Sequence, residues 1–494
     1  MLSQFALLIL GFFSQRAMNL YMGAELVGMN GVISNVINIL SVTELGISTA
    51  IVYHLYGALA RKDEAEIASL MNLYRKAYHV FAVLVFAAGM AVLPFIHLFM
   101  KNNSYSLSYI RVLYAMWLVR TVLSYLLTYR KSLLIADQKE YIASITGLIL
   151  NVVSYLAIIL LVTWEQNYLL ALGIGTVTEV VLNIWISWYV EQKYPFLRQR
   201  RKEKSTSSLT KRIVRDLKSL FISRISEKML YCTDNLIISG FIGVGTVGRY
   251  ANYCMITQAI SNILTILANT IQPTVGDYFT EKNRQRNYEI LRQLTFGFFC
   301  IASVVSVGLF SLITPFVRDI WLGPSYELGW GITVFCILVL LVRIMGLPLS
   351  LVMGVTGLFE KEKNVGASSA LLNLIVSLAL VKPYGMAGVL LGTLLSYLLQ
   401  ILYRYIIYFR DFLEMPGEAL RYAQDIGEYL AVIAGEVLLM QKIVPLIYGA
   451  GGMLLFCVCF LLCIAIPLLL DLVIFGRGWR LQSIVTMVKG MRKA

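Results

Sequence analysis

The sequence has few of the residues from which metal centres and soluble active sites are built. Only 14% of its 494 residues are charged, and its three histidines, His54, His79 and His97, are far apart. All seven cysteines fall inside apolar stretches, with neither metal-ligand nor disulfide-framework spacing. We interpret them as small packing residues, and we do not expect metal-dependent catalysis.

Enzyme motifs are also missing. The sequence has no phosphate-binding loop, zinc-binding helix motif, nucleophile elbow or paired carboxylates in a large loop. A membrane glycosyltransferase or polymerase would be expected to carry acidic or histidine residues in a substantial loop. We therefore predict a protein that is not an enzyme and has no cofactor. The basic residues that give the chain its net charge of +14 lie in short loops between apolar stretches, so no nucleic-acid partner is expected.

Long apolar stretches, in contrast, are abundant in the sequence. Hydrophobic residues make up 58% of the chain, and the mean hydropathy is +0.73. Because about twenty apolar residues cross a bilayer, the pattern predicts an all-α polytopic membrane protein with about 14 transmembrane helices. No cleavable signal is expected at the start. The predicted helices cover residues 2–22, 29–57, 77–99, 108–129, 141–164, 168–190, 219–242, 250–272, 293–317, 329–357, 365–381, 385–409, 425–446 and 451–475.

Lysine and arginine are concentrated in every second loop. The positive-inside rule then predicts that both termini are cytoplasmic. The longest polar segment, 191–218, and the tail, 476–494, are both basic and would lie near anionic membrane lipids. The segment 191–218 is interpreted first as a connector, with a lipid-headgroup or regulatory role as the alternative.

A weak internal repeat divides the chain. Gly23–Asn30 matches Gly243–Tyr250 in glycine spacing, and each segment is predicted to hold a tight loop between two spans, at Gly23–Gly28 in the first copy. Repeats offset by six helices predict two pseudo-symmetric six-helix bundles around a central cavity, plus two additional helices. The predicted domains are 1–190 (first bundle), 191–218 (cytoplasmic linker), 219–410 (second bundle), 411–475 (helices 13 and 14) and 476–494 (cytoplasmic tail).

Arginines within predicted spans are the candidate substrate contacts. Arg16, Arg120 and Arg343 fall in helices 1, 4 and 10, where a charge costs about 2.5–3.5 kcal/mol unless it lines a wet cavity. A guanidinium forms a fork suited to phosphate, so we expect an anionic substrate. Pairing with Glu44 or Glu179, or snorkelling to the surface, are the alternatives.

One acidic residue, Glu44, and the polar stripe of helix 7 complete the candidate site. Glu44 would either couple transport to a proton or sodium gradient or hold an arginine. Spacings of three and four residues place the polar side chains of helix 7 on one face of the helix. That face would either point toward the cavity or hold helix 7 against its neighbours. Arg224 could instead snorkel. The stripe consists of Arg224, Glu227, Lys228, Tyr231, Asp234 and Asn235.

Several of these stretches resemble a known family. GFFSQR (11–16), YMGAELVGMNGVISNVINILSVTELGISTAI (21–51), ARKDEAEIASLMNLYRKAY (60–78) and YCTDNLIISGFIGVGTVGRYANY (231–253) are similar to bacterial polysaccharide repeat-unit flippases. These form a branch of the multidrug/oligosaccharidyl-lipid/polysaccharide exporter superfamily.

The resemblance implies translocation of undecaprenyl-pyrophosphate-linked oligosaccharide across the bacterial cytoplasmic membrane by alternating access. It also implies that helices 13 and 14 form an apolar groove for the lipid tail. Arg16 and the helix 7 stripe would meet the pyrophosphate or sugar. Membrane lipids and other polysaccharide-assembly proteins are the further candidate partners. A cation-coupled multidrug exporter and a peptidoglycan-precursor (lipid II) flippase are the alternatives, with a polymerase or ligase of the same pathway as a third.

Overall fold

The computed structural model describes residues 2–41, 47–198, 228, 232–279, 283–358, 361, 363–449 and 451–476. Within these ranges the chain is helical and contains no β-strand, so the predicted all-α class is confirmed. Most of the predicted linker and tail lie outside the described residues. The chain forms two compact units, Met1–Gly248 and Arg249–Ala494. The finer predicted domain limits and the central cavity stay predictions.

The first unit contains nine helices among its described residues and the start of a tenth. They are α1 Leu2–Ala17, α2 Gly23–Leu40, α3 Ile47–Ala60, α4 Glu64–Val92, α5 Leu107–Thr128, α6 Lys131–Ala136, α7 Glu140–Trp164, α8 Tyr168–Lys193, α9 at 232–241 and α10 Val244–Tyr278. The second unit continues with α11 Arg284–Pro315, α12 Trp330–Val355, α13 Lys363–Ile407, α14 Pro416–Tyr448 and α15 Met453–Phe475.

Ten of the helical segments that the structure describes are long and apolar enough to cross a bilayer. One of them, α13, is a hairpin. Gly385 has a φ of 59° after Pro383, and Asn373 Nδ2 donates to Thr393 Oγ1 across 2.9 Å. A hydrogen bond between residues so far apart in sequence shows that the helix doubles back at Gly385. The separate helices predicted at 365–381 and 385–409 are its two arms.

The predicted glycine loop between helices 1 and 2 is wrong in extent. All six residues of the predicted loop, Gly23–Gly28, belong to α2, which begins at Gly23 rather than at residue 29. The break is confined to Gly23, whose φ of 81° is open to glycine at little strain. A wide π-helical turn, Met18–Met22, precedes it.

Both copies of the predicted repeat start with such a glycine, and they pack on each other. Gly243 has a φ of 141° and directly precedes α10. A Cβ on Gly28 would lie 1.9 Å from the Val244 carbonyl oxygen, and a Cβ on Gly248 would lie 1.8 Å from the Ala24 carbonyl oxygen. The first turns of α2 and α10 therefore cross with backbone against backbone, as small-xxx-small contacts do in membranes. All of these residues belong to the first unit.

Helix α11 is the centre of the second unit, since α12, α14 and α15 all pack on it. Near its start, Arg292 donates to both oxygens of Asp425 on α14, at 2.6 and 3.0 Å. An aromatic layer of Phe296, Phe299, Tyr429 and Phe475 then joins α11, α14 and α15. These contacts fix the register of the three helices.

Candidate functional site

Two of the predicted site residues, Glu44 and Arg224, lie outside the described residues, as do Glu227 and Tyr231 of the helix 7 stripe. Their predicted roles stay predictions. The other five predicted site residues are described, four in the first unit and Arg343 in the second.

Arg16 is an exposed side chain in the last turn of α1, directly before the π-helical turn Met18–Met22. Among the described residues it has no hydrogen-bond or ion-pair partner. The next turn is held separately, because Asn19 Nδ2 donates to the Gln15 carbonyl oxygen at 2.8 Å. A guanidinium left in this state is available to an anionic ligand.

Arg120 is held by a partner that the sequence suggested as the alternative. Its Nε lies 2.7 Å from Glu179 Oε2 on α8, and its guanidinium covers the Trp117 ring at 5.2 Å. Trp117 is fixed in turn, as its Nε1 donates to Asn30 Oδ1 at 2.7 Å. The pair is half-buried and uses Nε, so the terminal amino groups stay available for a further acceptor.

Lys228, Asp234 and Asn235 are the described residues of the helix 7 stripe. The half-buried Lys228 Nζ donates to Asn38 Oδ1 of α2 at 3.4 Å, while Asp234 is buried at 5% exposure in α9. Arg16, Arg120 and Lys228 thus lie on separate elements of the first unit. Within its described part, no hydrogen bond joins any two of them.

Arg343 is half-buried on α12 and covers the ring of Tyr397 on α13 at 5.6 Å. Each of these two residues is next in sequence to a residue that lines an apolar groove. Arg343 directly follows Val342, and Tyr397 directly precedes Leu398; Val342 and Leu398 line the groove.

The apolar groove is a cavity of about 330 Å³ between α12, α13 and α14. Leu341, Met345 and Leu349 form one wall, and the second arm of α13 forms another. Its third wall is α14, which corresponds to the predicted helix 13. The expectation that helices 13 and 14 hold a lipid tail stays a prediction. The lining is almost wholly hydrocarbon, which suits an alkyl or polyprenyl chain.

A buried polar cluster in the α13 hairpin was missed by the sequence reasoning. Besides the Asn373–Thr393 hydrogen bond, Ser377 Oγ donates to the Val389 carbonyl oxygen at 3.2 Å. Ser369, Asn373 and Ser377 are all 0% exposed and recur every fourth residue. That spacing in an apolar stretch was the signal that could have revealed a polar face on this helix.

Comparisons with solved structures show the fold. A lipid II flippase, MurJ, in an inward closed conformation matches with a TM-score of 0.71 at 15% identity, covering 96% of this chain and 98% of that chain. A multidrug resistance MATE family transporter of the MOP superfamily matches in its inward-facing form with a TM-score of 0.63 at 12% identity, over 81% of this chain and 93% of that chain. At these identities the likeness is one of fold, and it confirms the predicted polytopic architecture.

Sequence comparison gives the family. No curated protein matches the chain. The family described as polysaccharide biosynthesis protein matches residues 1–279, more than half of the chain. This match covers the stretches on which the sequence resemblance rests. The chain is therefore a member of the polysaccharide biosynthesis protein family.

Proposed function

We propose that the protein is a flippase for undecaprenyl-pyrophosphate-linked oligosaccharide repeat units. It would move them across the cytoplasmic membrane by alternating access, for assembly of a surface polysaccharide such as a capsule or exopolysaccharide. Membership of the polysaccharide biosynthesis family and a fold shared with MurJ support this proposal.

The observation that carries the proposal is the apolar groove beside Arg343. A lipid-linked pyrophosphate has a long hydrocarbon tail and a doubly charged head, so it needs an apolar channel next to a cation. Burying the tail is worth about 0.8 kcal/mol per CH₂. The groove supplies the apolar lining, and Arg343 and Tyr397, which contact each other, are next in sequence to the lining residues Val342 and Leu398.

The arginines of the first unit support an anionic substrate. Arg16 is exposed and has no partner among the described residues, and Arg120 uses only part of its donor capacity. We assign substrate contact to both, and to Lys228, Asp234, Glu44 and Arg224 with them. Coupling to a proton or sodium gradient belongs to the same proposal.

The two alternatives differ in substrate. A multidrug exporter handles cations as a rule, and the exposed Arg16, which has no partner among the described residues, disfavours cations by like-charge repulsion. A lipid II flippase carries the same pyrophosphate on a different sugar, so the groove and Arg343 suit it equally. The family match favours a surface polysaccharide.

Localisation and partners follow from the same reasoning. The many apolar helices make this a multi-pass membrane protein. We place it in the bacterial cytoplasmic membrane with both termini cytoplasmic. Membrane lipids and other membrane proteins of polysaccharide assembly would be its partners.

Deletion of the gene in its host tests the proposal. We expect loss of one surface polysaccharide with normal growth and unchanged drug susceptibility, and restoration by the wild-type gene. Lysis on depletion would assign lipid II as the substrate. Raised drug sensitivity with intact polysaccharide would assign the multidrug exporter and overturn the proposal.

A further inference from the structure

Two buried carboxyl groups lie in the second unit, away from the groove. Glu436 of α14 is 3% exposed and Asp471 of α15 is 4% exposed. Ser303 Oγ of α11 donates to Glu436 Oε2 at 2.6 Å. The other Glu436 oxygen and both Asp471 oxygens make no hydrogen bond within the described part of the chain.

The two carboxyls belong to one cluster. Asp471 precedes Phe475 by one turn of α15, and Ser303 follows Phe299 by one turn of α11, so the contact between Phe475 and Phe299 brings Asp471 to the level of the Ser303–Glu436 hydrogen bond. The Cys300 thiol of α11 interacts electrostatically with both carboxyls. Phe475, one turn after Asp471, packs on Phe299 and Tyr429, which keeps the three helices in this register. The cluster therefore joins α11, α14 and α15.

The stretches of the three helices that hold this pair, all within the described residues, contain no basic side chain to neutralise it. Residues 293–315 of α11, 422–441 of α14 and the whole of α15 contain neither lysine nor arginine. The basic group before this stretch of α11 is Arg292, which binds both oxygens of Asp425. The titratable groups that face the carboxyls from the packed helices are thus Cys300 and each other.

Two adjacent buried carboxylates with no cation repel each other and lose their hydration. One proton shared between them removes most of the repulsion, and it gives a donor to one of the three unbonded oxygens. Ionisable groups kept inside a membrane bundle mark ion or proton paths as a rule.

A polar cavity at the far end of the same helices offers a route to water. It has a volume of about 460 Å³ and is lined by Arg318, Asp319, Tyr448 and Ser311, among others. Ser311 lies two helical turns beyond Ser303 on α11, on the same face, and is 9% exposed. The lining of the cavity on α11 therefore begins about 12 Å along the helix axis from Ser303.

We propose that Glu436 and Asp471 form a proton-binding site in the last two helices, with Ser303 orienting Glu436. On uptake, one carboxylate oxygen forms an O–H bond with a proton from water, and the other carboxyl accepts that hydrogen bond; on release, the O–H bond breaks and the proton returns to water. The use of this proton to drive transport rests on the proposed function, whereas its binding does not.

Infrared difference spectroscopy of the purified protein across a pH series tests the site without any substrate. The C=O stretch of a protonated, buried carboxyl is resolved from that of a carboxylate. We expect such a band in the wild type that disappears reversibly as pH rises. It should be reduced at least twofold in Glu436→Gln and in Asp471→Asn, and absent from the double variant.

The matched control is Glu428→Gln, an exposed carboxyl on the same helix α14, which should leave the band unchanged. Neutral amides of the same shape preserve the packing, and thermal unfolding of each variant verifies this. A spectrum identical in wild type and double variant would overturn the proposal. A band that does not change with pH would show a fixed structural proton, and one abolished by sodium at constant ionic strength would show a sodium site; either contradicts it.

Discussion

At the scale of single residues, Asp137 illustrates a charge that fastens helices together. It lies in the turn between α6 and α7, where its carboxylate accepts hydrogen bonds from Lys139 Nζ and from the Tyr194 hydroxyl at the end of α8. Burial acts to raise the pKa of Asp137, but these two donors outweigh it and hold the pKa below its usual value. The folded state therefore favours the ionised form.

A lowered pKa gives stability that is present above the pKa of the unfolded state, roughly 3.9, and is lost as pH falls through the folded value. Asp137→Asn should lower the free energy of unfolding by about 1 kcal/mol or more at pH 7. The difference from wild type should shrink in acid. Thermal unfolding in detergent at several pH values measures this, with the exposed Glu165→Gln as control. A pH-independent difference would show that charge is not the cause.

Arg16 is the residue on which recognition of the negative charge of the substrate should depend most. Arg16→Ala should slow translocation of a labelled lipid-linked oligosaccharide about tenfold or more, as expected for loss of a charged hydrogen bond of about 1.5–3 kcal/mol. Arg16→Lys keeps the charge but not the fork, and should retain an intermediate rate. Arg421→Ala removes an arginine that is exposed and paired with Glu418, and should act as wild type. Equal rates for all three variants would remove Arg16 from the site.

At the scale of elements, the crossing of α2 and α10 depends on two glycines. Gly28→Ala would place a methyl group against the Val244 backbone and should destabilise the protein by about 1–3 kcal/mol, as overpacking does. Gly31→Ala lies one turn later on α2, where the nearest atom to a new Cβ is 3.9 Å away. It should be neutral or stabilise by about 0.5–1 kcal/mol. Thermal unfolding compares the two, and equal effects would argue against the close crossing.

The groove gives a second prediction for an element. Leu402→Trp should fill part of the cavity and slow translocation at least fivefold, since the lipid tail and the indole compete for one volume. Leu395→Trp alters an exposed leucine two turns earlier on the same arm that does not line the groove. It should leave the rate unchanged. Matching losses in both variants would indicate general perturbation of α13.

The sequence predicted elements well and their contacts poorly. Apolar length and glycine or proline breaks placed α5, α7 and α12 to within a few residues, because hydropathy and bilayer thickness decide a span. The predicted loop at Gly23–Gly28 failed because glycine serves close helix packing as well as turns. The Arg292–Asp425 bridge and the Asn373–Thr393 bond join residues distant in sequence, and only the packed structure reveals such pairs.

At the scale of the whole molecule, composition and family agree on a membrane protein of polysaccharide biosynthesis. The fold is shared with flippases and drug transporters alike, so fold alone does not choose the substrate. The choice rests on chemistry within each unit: in the first unit, Arg16 is exposed and has no partner among the described residues; in the second, an apolar groove has Arg343 next in sequence to one of its lining residues. A cationic drug would meet unfavourable charge at Arg16, whereas a lipid pyrophosphate would find both a cation and a hydrocarbon channel.

The most direct test is leaflet translocation of a labelled polyprenyl-pyrophosphate oligosaccharide in proteoliposomes containing the purified wild-type protein. Protein-free liposomes and a cationic dye serve as controls, with proton and sodium gradients imposed in turn. We predict translocation of the lipid well above the protein-free rate under at least one gradient, and no movement of the dye. Transport of the dye, with the lipid at the protein-free rate under every gradient, would contradict a lipid-pyrophosphate flippase.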